Sequence, residues 1–96
     1  MANITDSKES RVAQAFLKKS KDAFAQFTGK NKVVDIDIVN CLADESYTDG
    51  VRFNIFGSVE TSSPTGKPRV YEYKAVVEVE EKEATFVTLS VFPMEA

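Results

Sequence analysis

The chain of 96 residues has no histidine and no tryptophan, a single cysteine, three prolines and four glycines. Each scarcity removes a class of function. Without histidine there is no side chain that exchanges a proton freely near neutral pH, and the commonest metal ligand is gone with it. A serine or cysteine nucleophile would have no imidazole to activate it. The lone Cys41 excludes an intramolecular disulfide and fits a reducing compartment. No apolar run approaches the roughly 18 residues that a membrane-spanning helix needs. The N-terminal MANITDSKES lacks the apolar segment of a signal peptide. A cytoplasmic protein is expected, with an exported form whose signal has been removed as the alternative.

An excess of basic residues is missing as well. The net charge is −3, whereas a dedicated nucleic-acid binder needs surplus Lys and Arg to displace counterions. What charge there is, is lopsided: residues 1–32 carry Lys8, Arg11, Lys18, Lys19, Lys21, Lys30 and Lys32 against three acids, and the acidic surplus lies in residues 33–96. The hydrophobic share of 43% and the charged share of 28% are those of a folded globular chain, of a length suited to one domain with one core.

Two periodicities organise that domain. Between Asp6 and Thr28 the residues Ala13, Phe16, Leu17, Ala23, Phe24 and Phe27 fall at helical spacing and predict one helix over 6–28, with residues 1–5 flexible ahead of it. Asp6 and Glu9 have the spacing of a capping box, and Gly29 suits the stop. After it the chain alternates apolar and polar residues, predicting strands near 32–42, 50–62, 68–80 and 84–92. The phase puts Val34, Ile36, Ile38 and Leu42, then Val51, Phe53, Ile55 and Val59, then Tyr71, Tyr73, Ala75, Val77 and Val79, then Val87, Leu89 and Val91 against the helix. The expected class is α+β, one helix packed across a four-stranded antiparallel meander sheet with one face open. The turn at Glu81-Lys82 lacks Gly and Asn, and a two-residue loop there would turn Val87, Leu89 and Val91 outward. A three- or five-residue loop is therefore expected.

The segment RVYEYKAVVEVEEKEATFVTLSVFP resembles the last hairpin of plant cystatins in strand length, Tyr-rich start and closing Phe-Pro. Together with the helix-then-meander layout, from about Ala13 to Pro93, it implies the fold shared by cystatins and monellin. The resemblance would imply inhibition of papain-like proteases by a wedge of two hairpin loops and an N-terminal glycine segment. Of the first loop's Gln-x-Val-x-Gly, Ser46-Tyr47-Thr48-Asp49-Gly50 keeps only Gly50. The second loop, Glu81-Lys82-Glu83, lacks the family's Pro-Trp, and no glycine precedes the helix. Charged tips fit poorly in an apolar cleft.

No catalytic motif is present, and the expectation is a protein that is not an enzyme and carries no cofactor. Asp35 and Asp37 share a strand face roughly 7 Å apart, but no third carboxylate has motif spacing, and no metal site is assigned. The Gly-Lys of SSPTGKPR runs into Pro68 and a strand, so it is a turn and not a phosphate loop. The open face carries apolar residues among its charges: Val33, Val39, Cys41, Phe56, Val70, Val76, Phe86 and Phe92. Phe56, Val76 and Phe86, mid-strand, are the expected anchors for a protein partner, with Tyr47 and Gly50 at a hairpin tip. The partner is either another protein or a second copy in a homodimer through the open face; neither nucleic acid nor membrane is expected. Two other readings are a cysteine-protease inhibitor with a degenerate wedge and a small-ligand carrier with a cavity under the helix.

Overall fold

In a computed structural model, which describes residues 3–44 and 51–93, the order is β1 (Asn3–Ile4), α1 (Lys8–Lys19), α2 (Lys21–Thr28), β2 (Lys32–Ala43), β3 (Val51–Ser62), β4 (Pro68–Glu80) and β5 (Glu83–Pro93). The sheet runs β1-β2-β3-β4-β5, antiparallel throughout β2–β5. The two-residue β1 lies parallel to β2 at Asn40 and Cys41, the helices supplying the crossover. The architecture is α+β, with two helices on one face of a four-stranded antiparallel sheet. Among the described residues no helix is long and apolar enough to cross a membrane.

The helical stretch is broken where a single unbroken helix was expected. Ser7, not Asp6, is the N-cap, its hydroxyl oxygen accepting the Ser10 N–H at 3.0 Å. Asp6 instead pairs with Arg11 at 3.1 Å. At Ser20 the backbone leaves helical geometry (φ −93°, ψ 42°), and the serine hydroxyl donates to the Phe16 carbonyl at 2.7 Å. A side chain bonded back onto the carbonyl four residues earlier bends a helix. Beyond the break Phe24 and Thr28 point inward and Phe27, expected in the core, is 47% exposed. Gly29 closes α2 at φ 63°, which a side chain would resist.

The core lies between the helices and the inner face of the sheet. Ala13, Leu17 and Phe24 meet Phe53, Ile55, Val59, Tyr71, Tyr73, Ala75, Val77 and Val79. Each large side chain fully buried in this way contributes about 1.5–3 kcal/mol. At the centre the Phe24 and Tyr73 rings meet edge to face, with centroids 5.0 Å apart and planes at 78°. The Tyr73 ring lies over Gly57, and its hydroxyl donates to the Asp37 carbonyl at 2.9 Å. A Cβ at position 57 would run into that carbonyl and come within 3.0 Å of the tyrosine oxygen, so only glycine fits there.

β3 and β4 pair without interruption, and their alternation is as the sequence predicts. β2 follows the expected phase at Ile36 and Ile38 but not at its two ends. Its register against β3 shifts between Val33 and Asp35 and again between Ile38 and Asn40. Each shift inserts one residue, Val34 or Val39, and each reverses which side the following residues face. Val33 and Cys41 are thereby buried at 6% and 0%, whereas Val34 and Leu42 are 49% and 44% exposed. All four were expected on the other face.

The β4–β5 hairpin corrects a second expectation. Glu80 pairs with Glu83, so the loop is the two residues Glu81 and Lys82. Glu81 takes φ 58°, the only positive value at a non-glycine among the described residues. As the two-residue loop requires, Val77 pairs with Phe86. A bulge then absorbs Val87, pairing Val76 with Thr88, and Leu89 and Val91 return to the inner face opposite Ala75 and Tyr73. One extra strand residue, and not a longer loop, supplies the odd count. Val87, expected inside, is 41% exposed.

Candidate functional site

Phe86 therefore leaves the open face. Its ring lies 4.8 Å from Phe16 and 6.5 Å from Phe24, centroid to centroid, on the helix side. Its placement among the open-face anchors is corrected; Val87 takes up the phase difference. Phe56 and Val76 do lie on the open face, Phe56 41% exposed and Val76 half-buried. Tyr47 and Gly50 fall outside the described residues.

The pairing registers fix what surrounds Phe56. Crossing the sheet, Asn40, Phe56, Lys74 and Ser90 form one outward row. The next row is Asp37, Ser58, Glu72 and Phe92, and beyond it Asp35, Glu60 and Val70. On the other side lie Leu42, Asn54, Val76 and Thr88. A depression of about 430 Å³ crosses the strands between Val39, Phe56 and Phe92, with Glu72 and Lys74 also in its lining. Beside it a second depression of about 360 Å³ is lined by Asp35, Asp37, Ser58, Glu60 and Val70. Val39 and Phe92 were read as open-face residues but not as site residues. The bulge that frees Val39 and the pairing that sets Phe92 beside Glu72 bring them to Phe56.

The two faces of the molecule are electrically unlike. The exposed Lys8, Arg11, Lys18, Lys19, Lys21 and Lys30 are on or next to the helices, while the exposed Asp35, Asp37, Glu60 and Glu72 cluster on one half of the open sheet face. The charge asymmetry of the sequence becomes a basic layer and an acidic layer. Arg52 and Glu78, opposite one another on β3 and β4, pair at 3.5 Å at the far end of that face.

The chain's reactive groups are put to structural use. Cys41 is fully buried, within 3.4 Å of the Ser10 hydroxyl, which accepts from the Gln14 amide at 3.0 Å. Burial pushes the thiol above its ordinary value, and the Ser10 bond only partly opposes this. Tyr73 is likewise pushed up, first by burial and then by the nearby Asp37 charge. Among the described residues no three His, Cys, Asp or Glu side chains converge to hold a metal ion, the acidic row included. The space beneath the helices is filled, with Leu17, Phe24, Phe53, Val59 and Val77 all at 0% exposure.

Compared with protein-family models, with characterised proteins and with solved structures, the chain matches none of them.

Proposed function

We propose that the chain is a non-enzymatic protein-binding module whose docking surface is the open face of its sheet. The observation that carries this reading is the exposed apolar depression between Val39, Phe56 and Phe92, set directly against an acidic row. The occupant this surface fits is a protein segment with an aromatic or aliphatic side chain next to Lys or Arg. The apolar side chain would seat against Phe56, where aromatic anchors contribute most. The basic groups would meet Asp35, Asp37, Glu60 and Glu72, which steer association more than they hold it.

Charge also argues against a homodimer through this face. On this half of the face the acids Asp35, Asp37, Glu60 and Glu72 outnumber the one lysine, Lys74, so a second copy offers them few opposite charges. The filled space beneath the helices weighs against a ligand carrier. The helix-over-meander layout supports a cystatin-like fold as part of this proposal, whereas the charged Glu80–Glu83 tip does not favour a protease wedge.

A random-peptide selection on the wild-type protein, with each selected peptide then measured on Phe56→Ser and Phe92→Ser, tests the reading. Expected are peptides rich in Lys or Arg beside an apolar residue, which shift the amides of residues 56, 58, 72, 74 and 92 and lose affinity in high salt. Selected peptides that bind Phe56→Ser and Phe92→Ser equally well, or that shift only helix amides, would refute it.

A further inference from the structure

The two edges of the sheet are finished differently. The β2 edge is covered at Asn40 and Cys41 by β1, carries the outward acids Asp35 and Asp37, and is bulged at Val34 and Val39. These are the usual devices that keep a free strand from pairing with another chain. The β5 edge has no strand beyond it among the described residues. After Glu83 it reads Ala-Thr-Phe-Val-Thr-Leu-Ser-Val-Phe-Pro, ten residues without one charge and rich in β-branched and aromatic side chains. Its single bulge, at Val87, leaves Thr88–Phe92 as an uninterrupted stretch. The inner side chains of β5 are also incompletely covered: Ala84, Phe86, Leu89 and Val91 are only partly buried, whereas those of β3 and β4 are mostly closed off.

We infer that β5 is a self-pairing edge, at which a second copy of this chain adds its own β5 antiparallel to make one continuous sheet. The sequence is self-complementary about Ser90. A two-fold axis there sets Leu89 against Val91 twice on the inner side, completing the cover of both. On the outer side it sets Phe92 against Thr88 twice and Ser90 against Ser90. In an antiparallel pair, opposed residues share a face, and every one of these pairs obeys that rule with the facing observed in the monomer. No charge opposes a like charge within the stretch. Pro93, which has no N–H to give, marks where the paired stretch ends. The inference does not rest on the open-face reading: it uses the edge of β5 and a second copy of the chain, and shares only Phe92 with the depression.

Sedimentation equilibrium of the full chain, with Ser90→Lys, Ser90→Cys and Phe56→Ser beside the wild type, tests it. Ser90 is exposed, so these changes leave the core untouched, which circular dichroism checks. Expected are a wild-type dimer, a dissociation constant raised at least tenfold by Ser90→Lys, and no shift with Phe56→Ser. Facing Cβ atoms about 4.5–5.5 Å apart at the axis should let Ser90→Cys oxidise to a covalent dimer much faster than a Thr65→Cys control, the buried Cys41 staying reduced. A wild type that is monomeric at millimolar concentration overturns the inference. So does a dimer indifferent to Ser90→Lys, a dimer lost with Phe56→Ser instead, or cross-linking at position 90 no faster than at 65.

Discussion

The inner strands and the outer strands of this sheet solve different problems. β3 and β4 pair from Val51–Val79 to Ser62–Pro68 without one irregularity. β2 carries two register shifts and β5, against β4, one. A flat ladder in the middle and bulged strands at the sides let a sheet bend around two short helices, because each extra residue sharpens the local twist of its own strand. The bulges also decide what each side chain is for. Val39 is freed to line the open-face depression, Cys41 is turned into the core, and Phe86 is delivered to the helices while Phe92 remains outside. One side chain ties the two regimes together: Tyr73 of the regular β4 crosses Gly57 and bonds the Asp37 carbonyl, between the two bulges of β2.

Perturbations can be chosen to test this division, the strongest first. Phe24→Ala removes the ring that touches both the central Tyr73 and the outer Phe86. It should cost about 3–5 kcal/mol, seen as a large fall in the denaturant midpoint. A midpoint that hardly moves would mean that the helices do not close the core. Gly57→Ala places a methyl against the Asp37 backbone, which cannot swing aside as a side chain does. A loss of about 1–3 kcal/mol is expected, together with altered amide shifts on β2; a neutral result would show that the Tyr73–Asp37 tie is loose.

Alkaline titration examines the same tie from the chemical side. Tyr73 and Cys41 both sit above their ordinary pKa values in the folded protein, mainly through burial. The folded state therefore holds these protons where the unfolded chain gives them up, and stability present at neutral pH must fall as pH rises. The decline should begin near pH 9 with the thiol and steepen past pH 10 with the phenol, their unperturbed values. Cys41→Ala should remove the first part and Tyr73→Phe the second. Unchanged profiles in both variants would mean that neither group is held as described. The smallest effect is expected at the β5 hairpin: Glu81→Gly relieves a positive φ and should raise stability by about 0.5–1 kcal/mol. A decrease would show that the Glu81 side chain contributes something there beyond filling the turn.

The alternation of β3 and β4 could be read directly from the residues because nothing interrupts it. Their spans and inner faces, from Phe53 to Val59 and Tyr71 to Val79, agree with the expected ones. The spans of β2 and β5 were equally legible, but their facing only at Ile36, Ile38, Leu89 and Val91. A bulge leaves no mark in apolar-polar spacing when the extra residue is itself apolar, as Val34, Val39 and Val87 are. Ser20 falls inside the helical stripe and breaks it. What it did there depended on its hydroxyl reaching Phe16, which spacing does not show. Of the expected anchors, Phe56 and Val76 keep their face because they belong to the regular strands. Phe86 changes face because it precedes the bulge and answers to the two-residue turn. Val39, Phe92 and the acidic row join Phe56 only through cross-strand registers, which a single sequence does not supply.

The central claim, that the Val87 bulge separates Phe86 from Phe56 and Phe92, is tested most directly by aromatic nuclear Overhauser contacts in the wild-type protein. The structure predicts strong contacts from the Phe86 ring to the Phe16 ring, whose centroid is 4.8 Å away, and weaker ones to Phe24 at 6.5 Å. Phe56 should touch neither helix ring. Contacts from Phe86 to the outward Val76 and Phe56, with none to Phe16, would contradict it.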